Sequence, residues 1–128
     1  MELTPDNPTP DRQPNHWISS CGNEGIHIGE QVYPSSIVVQ ADQVVDWFPN
    51  NLTTLQFDTA IQPFLQPDTE IVLLGTGSTI IWPNDEIRSA LLHEHIGLEV
   101  MTTAAACRTF NILTQDQRNV VAFLTFGK

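Results

Sequence analysis

Positive charge is the scarcest feature of this sequence. Only Arg12, Arg88, Arg108, Arg118 and Lys128 are basic, against fifteen acids, and the formal net charge is −10. A field of that sign repels phosphate backbones and anionic lipid surfaces, so a nucleic-acid partner and direct membrane adsorption are both disfavoured. No apolar run approaches the ~20 residues needed to span a bilayer. The N-terminus shows neither a basic segment followed by an apolar one nor an Arg-rich presequence, which points to a cytoplasmic protein that reaches a membrane only through partners. The two cysteines, Cys21 and Cys107, sit in no metal-type spacing. One disulfide is conceivable, but two thiols in a chain of this size read as a reduced protein. Oligomeric state is not legible.

What remains is ample for folding. Apolar residues make up 41% and charged residues 16% of 128 positions, enough for one globular domain over 16–128. Residues 1–15 hold four of the nine prolines among Asp, Asn and Thr and read as a disordered arm. From Gly25 to Tyr33 the residues alternate as in a strand, and Ser35 to Trp47 is rich in β-branched residues. Gly29 or Tyr33-Pro34-Ser35 can supply the turn of a β-hairpin, with Trp17 and Trp47 as its apolar cover. Asp58 is placed to cap a short helical turn that Pro63 limits. His16 and His27 have no neighbours at ligand spacing, and His93 and His95 point roughly 200° apart on a helix, so metal chelation is not expected.

The C-terminal half is the most regular. The spacing predicts strands at Glu70–Leu74, Gly97–Met101 and Asn119–Phe126, with two helices between them. Asn84 caps the first helix, with Asp85 and Glu86 in its first turn and Gly97 as the left-handed residue at its end. Thr102 or Thr103 caps the second, which runs from about Ala104 to Gln115 and buries Ala106, Phe110 and Leu113. The order β-α-β-α-β implies an α/β arrangement of parallel strands with right-handed crossovers.

Ligand sites in such sheets form beyond the carboxyl ends of the strands. The candidate surface is therefore Gly75-Thr76-Gly77 together with Thr102, Thr103, Cys107 and Arg108. Small residues Ala104 to Ala106 expose backbone N–H groups at a helix N-terminus, and Arg108 adds a cation, a combination suited to an anion. The same field lowers the pKa of Cys107 if its thiol is accessible. The competing reading is structural: glycines for a tight turn, alanines for helix–sheet packing, Cys107 as a small buried group. Gly-Thr-Gly lacks the further glycine of a dinucleotide fingerprint, and no Gly-Lys-Ser/Thr follows, so no cofactor is expected. No acid or histidine is placed beside Cys107 as a base, so no catalytic residue is assigned. An exposed apolar patch at Ile80, Ile81 and Trp82 would mark a dimer or partner contact.

Leu73 to Gly77, Trp82-Pro83, Gly97 to Met101, the run Thr103 to Leu113 and Arg118 together resemble a family of small uncharacterised proteins. That family contains mitochondrial complex I assembly factor three and an adipogenesis-associated human protein. The resemblance implies a three-layer α+β fold, a central mixed β-sheet flanked by helices with an added β-hairpin layer. It implies no established enzymatic activity. For one branch it implies protein contacts with subunits of a membrane respiratory complex at the inner membrane. Three positions depart from the pattern: Thr102 stands where an acid is common, Phe110 where Tyr is common, and Gln117 where Gly is usual. The leading expectation is a non-enzymatic interaction or assembly-helper protein. The alternative is a small-molecule or anion-binding protein, hydrolytic in one version, that uses the Gly75–Gly77 and Thr103–Arg108 turns.

Overall fold

The computed structural model describes residues 16–127; the arm expected over 1–15 lies outside them. Three short strands, β1 (Ile18–Gly22), β2 (Gly25–Ile28) and β3 (Gln31–Tyr33), form an antiparallel sheet. Five more, β4 (Ile37–Val39), β5 (Val44–Asp46), β6 (Ile71–Gly75), β7 (Gly97–Met101) and β8 (Val120–Leu124), form a mixed sheet in the order β5-β4-β8-β6-β7. Helix α1 (Asp85–His93) joins β6 to β7, and α2 (Thr103–Gln115) joins β7 to β8. β6 is parallel to both β7 and β8, while β4 is antiparallel to β8 and to β5. This is the central mixed sheet with flanking helices that the resemblance implies, and the added layer has three strands rather than two.

Strand alternation sorts the core into two layers. On β8, Val120, Ala122 and Leu124 face α2 and the small sheet, while Val121 and Phe123 face α1 and the turns before β6. β6 divides the same way, with Leu73 on the first face and Val72 and Leu74 on the second. All five residues of β8 are buried, as expected of a strand with neighbours on both edges and layers on both faces. Gly29, at φ +60°, breaks the Gly25–Tyr33 run into β2 and β3.

Two local expectations need correction. Trp47 does not cover the small sheet. It packs on the opposite face against Phe123, where its indole N–H donates to the Ala60 carbonyl at 3.0 Å. Asp58 does not cap a helix, because Phe57–Ile61 winds as a wide π-helical turn that buries Phe57 and Ile61. Gln62–Phe64 then tightens into a 3-10 turn with Pro63 in its first turn.

Both helices begin as their sequences suggest. The Asn84 side chain accepts from Ile87 N at 3.3 Å, and Thr102 Oγ1 accepts from Ala105 N at 3.3 Å. Their ends are less legible. At α1 the left-handed residue is His95, at φ 64°, and Gly97 instead opens β7. His95 N donates to the Leu92 carbonyl and Ile96 N to that of Leu91. At α2 the same pair of bonds runs from Gln117 to Thr114 and from Arg118 to Leu113, with Gln117 at φ 65°. Both are Schellman motifs that hold a residue with a Cβ where glycine has no steric cost. Gln117 is exposed, so Gln117→Gly should relieve that cost and raise stability by about 0.5–1 kcal/mol. The midpoint of urea unfolding reads the gain directly, and an unchanged or lower midpoint would show that the left-handed glutamine carries no strain.

Beyond that cap, Arg118 Nε donates to Glu70 Oε1, tying the start of β6 to the start of β8. This hydrogen bond is the main reason the Glu70 carboxyl titrates below its ordinary value.

Candidate functional site

The carboxyl ends of β6, β7 and β8 lie side by side, and threonine hydroxyls hold them there. Thr103 Oγ1 accepts from Gly77 N at 2.7 Å and donates to the Thr125 carbonyl at 2.8 Å. Thr125 Oγ1 in turn donates to the Gly75 carbonyl at 2.8 Å. Thr76 Oγ1 donates to the Thr79 carbonyl at 2.6 Å and accepts from Ile81 N at 3.0 Å, which folds Gly77–Ile81 back over the sheet. Gly75 is required by close approach: a Cβ there would stand 2.9 Å from Thr103 Cα and 3.1 Å from the Ala106 Cβ. Gly77 is required by conformation, at φ +98°.

Above these turns opens a cleft of about 790 Å³, lined by Thr76, Gly77, Thr103 and Ala104 from the strand ends. Its other walls come from distant parts of the chain, among them Cys21 of β1, Ser36 before β4, the loop residues Pro49 and Leu52, Ile81, and Phe126 after β8. No charged side chain among the described residues lines it. The walls are hydroxyls, the Asn50 carboxamide, small groups and apolar side chains, a chemistry suited to an uncharged occupant.

The seven residues singled out in the sequence separate here. Thr76, Gly77 and Thr103 border the cleft, with the two threonine hydroxyls turned inward to their backbone partners. Gly75 is buried beneath α2. Thr102 is occupied as the helix cap. Cys107 is buried in the layer between the sheets, at 4% exposure. The lowered thiol pKa expected for an accessible Cys107 does not arise; burial, reinforced by the neighbouring Cys21 thiol, pushes it up to about 12. Arg108 projects from the exposed face of α2 and does not line the cleft. The helical geometry explains this, since Arg108 lies roughly 200° around from the buried Ala106.

The histidines are elsewhere. His27 Nε2 is 3.3 Å from Glu24, and His16 Nδ1 is 2.7 Å from the Gln40 carbonyl. None borders the cleft, so among the described residues it holds no general base for a hydrolytic step.

Large apolar side chains are exposed in the two segments, 48–49 and 80–82, that reach the cleft through Pro49 and Ile81. Trp82 is 60% exposed, Ile80 50%, Ile81 38% and Phe48 82%. Ile81 and Pro49 line the same cleft, and Phe48 adjoins Pro49 in the chain. The Arg88 guanidinium lies 6.0 Å from the centroid of the Trp82 ring, which leaves the ring as a flat apolar platform with a cation at one side.

A two-layered core around a mixed sheet, with a cleft at the strand ends that no charged side chain of the described residues lines, defines an α+β protein. The chain belongs to the family described as a protein of unknown function, DUF498/DUF598, whose pattern matches residues 18–125. It is 37% identical over 108 residues to NADH dehydrogenase [ubiquinone] 1 alpha subcomplex assembly factor 3 of Danio rerio, covering 84% of this chain and 62% of that protein. The chain thus spans less than two thirds of that assembly factor's length. It is 28% identical over 97 residues to the 13 kDa major membrane protein of Francisella tularensis subsp. holarctica, covering 74% of this chain and 76% of that one. An NMR structure of a Xanthomonas campestris protein shares the fold with a TM-score of 0.77 and 28% identity, covering 98% of this chain and 93% of that chain. No helix among the described residues is long and apolar enough to cross a membrane.

Proposed function

We propose that this protein is a non-enzymatic assembly helper that docks onto a protein partner of a membrane respiratory complex through Phe48, Ile80, Ile81 and Trp82. The observation that carries the reading is the exposure of these four large apolar side chains in the two segments that meet the cleft through Pro49 and Ile81. Scattered apolar residues are ordinary on a surface, but aromatic anchors grouped around a groove are the usual centre of a protein interface. The assembly-factor name of the zebrafish relative supports the choice of partner.

The test is affinity capture from solubilised membranes of the native host, comparing wild type with an Ile81→Ser, Trp82→Ala variant of matched melting temperature. Loss of a Trp-centred anchor removes about 2 kcal/mol or more, so respiratory-complex subunits should fall at least about tenfold in the variant. Equal recovery from both proteins would place the contact elsewhere.

The cleft itself favours a second reading, a small-molecule binding protein. Its 790 Å³ lies within the ~300–1,000 Å³ range typical of ligand pockets. With no charged side chain of the described residues in the walls and Arg108 directed away, an uncharged ligand suits it better than an anion. A thermal-shift screen compares the two ligand classes, since a ligand that binds the native state raises the melting temperature by an amount that grows with the ratio of free ligand to Kd. An uncharged ligand should give the larger shift, and a larger shift with anions would overturn the preference.

A further inference from the structure

We propose that Cys21 and Cys107, separated by most of the chain, form an oxidisable dithiol at the edge of the cleft, which a low-molecular-weight disulfide converts to an internal Cys21–Cys107 bond. This modification site stands apart from the docking reading above and does not depend on it.

Three features of the fold bring the thiols together. First, a β-bulge interrupts the pairing of β1 with β2 between Ile18 and Ser20. Strict alternation from the inward-facing Ile18 would turn Cys21 away; the bulge inserts one residue and returns Cys21 to the inner face. The burial pattern follows, with Ile18 buried, Ser19 and Ser20 exposed and Cys21 half-buried. Second, the buried Asn111 side chain clamps β1 onto α2, accepting from Ile18 N at 2.9 Å and donating to the Ile18 carbonyl at 2.7 Å. Cys107 lies one helical turn before Asn111, and Cys21 lies three residues beyond Ile18. Third, Cys21 packs on the core cluster that contains Cys107, and its thiol is near enough to help raise the Cys107 pKa. Both are free thiols in the structure.

Access is unequal, and this sets the order of events. Cys21 lines the cleft, whereas Cys107 is buried behind it. The Cys21 thiolate attacks the external disulfide RSSR, forming Cys21–S–S–R and releasing RS⁻, which takes up a proton. Cys107 then loses its proton and attacks the Cys21 sulfur, expelling the second RS⁻. Two protein thiols are oxidised and one RSSR is reduced to two RSH. The second step is the slower one, because burial disfavours the Cys107 thiolate. The product ties β1 to α2 and stiffens one wall of the cleft.

The experiment treats the full chain with graded ratios of oxidised to reduced glutathione and follows free thiols, intact mass and cross-linked peptides. Wild type should lose both thiols together, retain no glutathione adduct, and yield a Cys21–Cys107 linked peptide. Its melting temperature should rise on the order of 10 °C, since the closed loop is long. Cys107→Ser, or Cys107→Ala if the serine variant does not fold, should stop at one glutathione adduct on Cys21. Cys21→Ser should keep the Cys107 thiol unmodified. A wild type that stops at the Cys21 adduct, forms only intermolecular dimers, or retains both thiols at ratios that modify Cys21 in Cys107→Ser overturns the proposal.

Discussion

Phe123→Ala should cost about 4 kcal/mol of folding stability, the largest loss expected from any single side chain of this protein. Phe123 sits on β8, which is hydrogen-bonded to β4 on one edge and to β6 on the other, and it is fully buried. Its ring meets Trp47 edge to face at 5.1 Å and Phe64 at 5.8 Å. Truncation removes the buried ring, leaves a cavity, and deletes two edge-to-face contacts worth about 0.5–1.5 kcal/mol each. The site cannot collapse easily, because Trp47 is held in place by its bond to Ala60 and β8 is locked in the sheet. Urea unfolding at constant slope measures the change. A loss below about 1.5 kcal/mol would mean that Trp47 and Phe64 move in to fill the space, and that this layer is far more plastic than the packing suggests. Phe123 does not line the cleft.

Asn111→Ala should cost about 3 kcal/mol although it removes few atoms. Asn111 is 8% exposed, and its amide satisfies both the N–H and the C=O of Ile18. Deleting it strands two buried backbone groups, each at about 1–3 kcal/mol unless water enters. The damage is expected to be local first. Amide exchange should accelerate at Ile18 and along β1 before it does in β6 or β8, because β1 is an edge strand and this side chain supplies its hydrogen bonds to α2. Uniform acceleration through the whole chain, or none, would contradict the clamp. Loss of the clamp also separates Cys21 from Cys107, so the variant should form the internal disulfide less completely than wild type.

Asn111 shows what the sequence could not disclose. It stands in the middle of α2, in a run that marks the family, yet no local rule says that its amide reaches a strand 93 residues earlier. The Schellman ends of both helices were hidden for a related reason. His95 and Gln117 take the left-handed position without being glycine, so Gly97 drew the expectation instead. The cleft was half legible. Thr76, Gly77 and Thr103 were found from strand ends and a helix start, whereas Cys21, Ser36, Leu52 and Phe126 come from segments with no sequence relation to those turns. Trp47 was assigned to the wrong face because the nearest strands in sequence are not its nearest neighbours in space.

By itself, the sequence determined the acidic character, the β6-α1-β7-α2-β8 unit and the residues that cap its helices. These are local properties: short apolar runs, capping side chains and charge follow from neighbours within a few positions. Only the tertiary structure decided that β4 closes on β8 from the other side, that Cys107 is buried beside Cys21, that Arg108 faces away from the cleft, and that Ile80 to Trp82 remain uncovered. Each of these depends on contacts between segments far apart in the chain, and those contacts are set by how whole layers pack rather than by any residue's preference for its own backbone.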